Sequence, residues 1–246
     1  EGNLTAQDAF TATELAQEIS VRHPGVESVN HVLRLNAQQY SSYRLHLLGE
    51  KSADTHIPES QMPMLSDGAQ DRYVVESVWP PELQSTLRGL DMGEIPAIKQ
   101  LIAGMRWTDR PALSAPFPLK QTGAGKTGVL LSVALKNTEG PLAGEAEAPT
   151  RFLNLSVRIE RMMVHFLSRG LLSDVVVTVR DMGRKSGITA QEPEGLLVFR
   201  SEGWDAIRSD SLRSHRELLV GGRIWALEFA PRSSMLSGAE RYFSWT

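Results

Sequence analysis

Apolar residues along positions 5–22 recur at helical spacing. Ala12, Leu15, Ala16 and Ile19 fall on one face, and Pro24-Gly25 closes the run. A second helix is predicted over 36–48, with Asn36 as cap, Tyr40, Tyr43 and Leu47 on one face, and Gly49 as stop. Residues 50–70 are rich in Pro, Ser, Asp and Gly and read as a long loop. The pattern then changes period. Tyr73–Val78 is β-branched and bounded by Pro80 and Pro81, which predicts a strand. Pro96 opens a helix over 96–105, where Ile98, Leu101, Ile102 and Met105 share a face. Residues 112–120 and 128–135 read as two strands of a hairpin around the Gly-rich run Thr122–Thr127.

Residues 136–150 hold almost nothing that can enter a core and mark the predicted domain boundary. Beyond them Leu153, Leu155 and Val157 alternate as in a strand. Ile159, Met162, Met163, Phe166 and Leu167 then follow helical spacing until Gly170. The run Val175–Val179, with Leu196–Phe199 and Ile224–Phe229, completes the strand candidates. Strands and helices mix in both halves, so the expected class is α+β (mixed α/β): two compact units behind an N-terminal helix.

Composition narrows the classes without choosing among them. Hydrophobic residues are 41% and charged residues 22% of 246, ordinary globular values that exclude disorder and coiled coil. A net charge of −3 gives no electrostatic pull toward nucleic acid or an anionic membrane. With no cysteine there are no disulfides, Cys-based zinc sites, Fe–S clusters or thiol nucleophiles. No apolar run approaches the ~18 residues of a membrane span. The chain opens at Glu1 and ends just after Tyr242, Phe243 and Trp245, so neighbouring segments are expected beyond both ends.

The candidate chemistry is sparse. Gly123-Ala124-Gly125-Lys126-Thr127 looks like the end of a phosphate-binding loop, but Lys120 stands where that motif needs Gly. A strand pattern, Gly128 to Val133, follows where a helix is required, so a hairpin turn is the expected reading. The six histidines (23, 31, 46, 56, 165 and 215) show no metal-ligand spacing, and no Ser stands in a nucleophile elbow. Arg180-Asp181 reads as a local pair at a strand end. Asp91, in Gly89-Leu90-Asp91-Met92, sits at a strand-to-helix corner. There a carboxylate either caps the helix or points into a pocket, and the residues alone leave both open.

Several runs, taken in order, resemble the CHASE domain, the extracytoplasmic sensor module of bacterial receptors and plant cytokinin receptors. They are Phe10 in the first helix; His31-Val32-Leu33-Arg34-Leu35; Tyr73-Val74-Val75 with Pro80; Gly89-Leu90-Asp91-Met92; and Thr108 with Leu113-Ser114-Ala115-Pro116-Phe117. Gly128-Val129-Leu130-Leu131, Ile159-Glu160, Val175–Val179 with Asp181, and Gly222-Arg223-Ile224-Trp225 follow. The resemblance spans about residues 8–232.

The resemblance implies an N-terminal stalk helix followed by two tandem PAS-like units with antiparallel sheets. The stalk and connecting helix would cover 1–49, a membrane-distal ligand-binding unit 50–145, a membrane-proximal unit 151–235, and a lead-in to a transmembrane segment 236–246. It also implies ligand-contacting residues: Asp91 accepting hydrogen bonds from the ligand, Leu113 lining the pocket, Thr122 at the hairpin turn, and Thr108 with a structural or binding role. Asp109 stands in place of the family's usual Gly, the hairpin loop is longer, and Val133 replaces an aromatic seen in plant members, changes that alter the pocket's size.

The function so implied is a periplasmic small-molecule sensor of an inner-membrane receptor, binding a cytokinin-like or other small ligand. The output would be a histidine kinase or a cyclic-dinucleotide enzyme such as a diguanylate cyclase. The expected partners are that ligand, flanking transmembrane helices and a second copy joined through the small-residue face of the first helix (Ala12, Ala16). No cofactor, nucleic acid or catalysis by this domain is expected. An enzyme with dispersed catalytic residues and a protein-interaction module remain the other readings.

Overall fold

A computed structural model of the chain describes residues 14, 16–49, 62, 71–105, 110–119, 126–135, 150–168, 174–184, 195–207 and 213–232. The chain divides into two units, Glu1–Val157 and Arg158–Thr246.

The first unit opens with helix α1, described over 16–22, in which Ala16 is buried. Strand β1 (Val26–Leu35) and helix α2 (Ala37–Gly49) follow. Asn36 starts α2 with a reciprocal cap: its Oδ1 accepts from Gln39 N at 2.9 Å, and Gln39 Oε1 accepts from Asn36 N at 3.0 Å. Two donors of the first turn are thereby satisfied, as in a capping box. Next come β2 (Arg72–Trp79), a short helix α3 (Gln84–Leu87) and α4 (Pro96–Ala103). The unit ends with β3 (Ala112–Leu113), β4 (Phe117–Pro118), β5 (Thr127–Leu135) and β6 (Arg151–Arg158).

These strands make one six-stranded sheet in the order β2-β1-β6-β5-β3, with β4 also on β5. Strand β1 is central and antiparallel to both β2 and β6. The predicted boundary at 136–150 therefore moves: β6 belongs to the first sheet because it pairs with β1, and the division falls after Val157. Residues 136–149 lie outside the described residues. The predicted hairpin strand 112–120 is two short strands, β3 and β4, split at Ser114-Ala115-Pro116. The split is stabilised by Ser114, whose hydroxyl accepts from Leu130 N at 2.9 Å and donates to Ala115 O at 2.8 Å.

Helix α4 packs on one sheet face through Ile98, Leu101 and Ile102, the face its spacing predicts, joined by Met105. Burying each of those side chains contributes roughly 1.5–3 kcal/mol relative to exposure. Val32, Val75, Val78, Phe117, Leu130 and Phe152 are the sheet's contribution to that core. A smaller cluster joins Tyr40 and Leu47 of α2 to Met62 and Val74.

The second unit contains α5 (Ile159–Leu167), β7 (Val175–Arg184), β8 (Leu196–Arg200), β9 (Ser214–Val220) and β10 (Arg223–Pro231). Its four strands run antiparallel in the order β8-β7-β10-β9. Gly221 and Gly222, both at positive φ, form the two-residue turn between β9 and β10, as the tight twist of such a hairpin requires. In α5, Ile159 is fully buried, but Phe166 is half exposed, so its predicted apolar face is only partly covered. Asp181 does not pair locally. Its carboxylate takes both Arg223 Nε (3.0 Å) and Nη2 (2.5 Å) from the neighbouring strand, and both residues are buried. Strand pairing brings them together across 42 residues, which no local pattern could show.

Candidate functional site

The corner after β2 is held against the sheet edge by the backbone. Gly89 N donates to Val75 O at 2.8 Å, and Val75 N donates to Leu90 O at 3.0 Å. Asp91 makes an isolated antiparallel bridge with Val74. Its backbone is extended, so Leu90 and Met92 are sent to one side and the Asp91 side chain to the other.

On their side, Leu90 and Met92 line a small cleft with about 20 Å³ of room for water-sized groups, within about 370 Å³ of space that includes open solvent. Leu87 and Ile95 join them on that wall, Phe117, Pro118 and Leu119 form another, and Val75 of β2, Asn30 of β1 and Ser156 of β6 also line it. Among the described residues no lining side chain is charged. Gly128 on β5 admits one wall: a Cβ there would lie 2.6 Å from both Cγ and Cδ1 of Leu119.

Asp91 is only 6% exposed, and its carboxylate accepts three hydrogen bonds. Oδ1 accepts from Gly93 N at 2.8 Å and from Tyr73 N at 3.0 Å, and Oδ2 accepts from Arg72 Nη1 at 2.8 Å. It therefore caps the short turn Met92–Glu94 and pins that turn to β2. Arg72 also reaches Glu94 at 2.5 Å and stacks over the Tyr40 ring at 6.0 Å. Its hydrogen bond to Asp91 outweighs burial and raises the guanidinium pKa above its ordinary value. Burial raises the phenols of Tyr40 and Tyr73 above theirs. Further along β2, Glu76 Oε2 lies 2.5 Å from His31 Nδ1. Burial pushes the Glu76 carboxyl up, but the hydrogen bond and charge of His31, with Arg151 and Arg88, bring it below the usual value.

Of the four residues named from the resemblance, Asp91 and Leu113 can be placed. Neither lines the cleft. Leu113 is buried and paired with Leu131, on the sheet face opposite Leu130. Thr108 and Thr122 lie outside the described residues, as does the run 120–125. Thr127, however, begins strand β5 and not a helix, which removes the context a phosphate-binding loop needs.

The sequence reading missed the polar floor. The alternation Leu153, Leu155, Val157 marked β6 correctly, but the positions buried are the others, Phe152, Asn154 and Ser156. Opposite them on β1 stand Val32, Asn30 and Ser28 in register. Among the described residues no group of three or more His, Asp and Glu is placed to hold a metal ion. No described helix is long and apolar enough to cross a membrane.

The CHASE-domain family model matches residues 7–197. The chain belongs to the CHASE-domain family. Membership makes it an extracellular sensor domain. Among solved structures, it is similar to an extracellular ligand binding receptor from Desulfohalobium retbaense DSM5692, at 10% identity and TM-score 0.43 over 89% of this chain. The chain spans 32% of that receptor. It is also similar to methyl-accepting chemotaxis protein X, at 12% identity and TM-score 0.40, covering 94% of this chain and 85% of that one. No curated protein sequence matches it.

Proposed function

We propose that this CHASE domain binds a small molecule in the cleft of its first unit and passes occupancy to a cytoplasmic output across the membrane. The observation that carries the reading is the cleft itself: a mainly apolar recess, without charge among its described lining residues, against the sheet of a sensor domain. The ligand is a cytokinin-like or other small molecule. The output is a histidine kinase or a cyclic-dinucleotide enzyme, reached through flanking transmembrane helices, with two copies joined along the N-terminal helix. Binding drives signalling only if the ligand prefers one of two states of the domain.

A thermal-shift screen against adenine derivatives, amino acids, organic acids and neutral amides tests the reading. A ligand at 100 times its Kd stabilises by about 2.7 kcal/mol, a rise of roughly 5–11 °C in a chain of this size. Ile95→Trp, which fills the cleft from its rim, is expected to abolish the rise while leaving the unliganded midpoint near wild type. A hit indifferent to Ile95→Trp would move the ligand elsewhere.

A further inference from the structure

We infer that Asn30, which lines the cleft, together with Asn154 opposite it in the sheet, reads the ligand, and that this ligand is an uncharged molecule with an amide-like polar edge on an apolar body. The inference rests on the cleft being the ligand site and names its chemistry. Asn30 lies two residues before Val32, and Asn154 two after Phe152. Both of those apolar residues belong to the core under α4, and alternate strand residues share a face. The two amides therefore sit on the core face. They are directly opposed in the β1–β6 ladder, at 1% and 0% exposure.

Their hydrogen bonding is incomplete. Asn30 Nδ2 donates to Ser28 Oγ at 3.3 Å, but Asn30 Oδ1 has no partner within the protein, nor has either amide atom of Asn154. Ser132 Oγ, on the core face of β5, is likewise buried without one. Buried amides without partners destabilise a fold, and Val or Ile would suit a central strand better. A rule broken at the middle of a sheet is the usual mark of a functional position. Asn30 and Ser156 line the cleft directly. Asn30 Oδ1 asks for a donor, and the Asn154 amide offers one donor group and one acceptor. A charged ligand would meet no countercharge among the described lining residues. Asp91 is already held by Arg72 and two backbone N–H groups.

Two measurements on the whole chain test this. First, Asn30→Leu and Asn154→Leu keep the branching of the side chain and remove its polar atoms. Each is expected to leave the unliganded melting midpoint unchanged or raised. A fall of more than about 4 °C, the size a lost buried hydrogen bond gives, would show that the asparagines serve the fold and overturn the inference. Second, benzamide, benzoate and toluene serve as matched probes at millimolar concentration, with ¹⁵N-labelled asparagine amides and ¹³C-labelled methionine methyls observed by NMR. Benzamide is expected to move the Met92 methyl and the Asn30 and Asn154 amide signals more than either other probe. Benzoate acting as strongly would refute the uncharged class. Movement of Met92 without the asparagines would sink the inference and leave the cleft as a ligand site. No movement at Met92 with any of the three would count against the cleft reading itself.

Discussion

Asp91→Ala offers the sharpest test of how this site is built. The substitution removes the acceptor for two backbone donors, Gly93 N at 2.8 Å and Tyr73 N at 3.0 Å, and the more buried of the two carboxylates paired with Arg72. Losing a cap of this kind costs about 0.5–2 kcal/mol, and a freed, partly buried donor about 1–3 kcal/mol. Arg72 keeps Glu94, which limits the charge penalty. These contributions share one carboxylate and do not add fully, so the expected loss is about 2–4 kcal/mol. For a chain of this length that lowers the melting midpoint by roughly 4–16 °C. Asp91→Asn keeps an acceptor for the backbone but loses the charge facing Arg72, and should fall between wild type and alanine. Thermal unfolding of the unliganded protein, followed by circular dichroism, reads both. A residue held in reserve for a ligand would leave that midpoint where it was. An alanine variant melting within about 1 °C of wild type would refute the cap-and-pair reasoning. Any loss of ligand response in Asp91 variants must accordingly be separated from loss of fold.

The remaining predictions address other parts of the two units. Arg223→Ala leaves the Asp181 carboxylate buried beside an empty place and should cost about 3–5 kcal/mol, whereas the double change Asp181→Leu with Arg223→Met should be near neutral. Urea unfolding distinguishes the two, and equal losses would argue against the uncompensated-charge account. Because Glu76 is lowered in the folded state, the stability it contributes is present above its unfolded pKa and lost as pH falls through its folded one. Glu76→Gln should therefore flatten the decline in melting midpoint below about pH 4.5, and parallel wild-type and variant curves there would contradict the shift. Gly128→Ala places a Cβ 2.6 Å from Leu119 and should push that side chain toward the cleft, lowering both stability and probe binding. Unchanged benzamide binding in that variant would show that the wall can give way.

Much of the fold follows from local pattern. Helix α4 shows its Pro start and the face carrying Ile98, Leu101 and Ile102, and that face is the one buried. The reciprocal Asn36–Gln39 cap fixes the start of α2. Strand β1 carries no comparable signal. Its sequence, Val-Glu-Ser-Val-Asn-His-Val-Leu-Arg-Leu, mixes polar and apolar positions on both faces because it is a central strand whose inner face is partly polar. Strand β9 was missed for the opposite reason. It is an edge strand, exposed along nearly its whole length, with Leu218 and Leu219 facing solvent, so burial imposes no alternation on it. The domain boundary followed the composition of 136–150 and missed the pairing of β6 with β1, a contact more than a hundred residues apart in sequence.

The corner was legible in position, but the direction of its side chains was not. Strand alternation says which residues share a face, and stays silent on which face a helix covers. In β6 the apolar set Leu153, Leu155 and Val157 was the natural choice for the core, yet Asn154 is the residue at zero exposure. At the corner, Gly-Leu-Asp-Met drew attention to Asp91, and the corner does border the cleft. The extended backbone there gives the cleft Leu90 and Met92 and turns the carboxylate toward Arg72. A carboxylate that already accepts three hydrogen bonds has little left to offer a ligand, whereas the carbonyl oxygens of Asn30 and Asn154 are unanswered. On the proposed reading, recognition lies with the polar atoms that folding leaves unsatisfied, and those of Asn30 and Asn154 lie on the central strands, where periodicity alone would have placed valine.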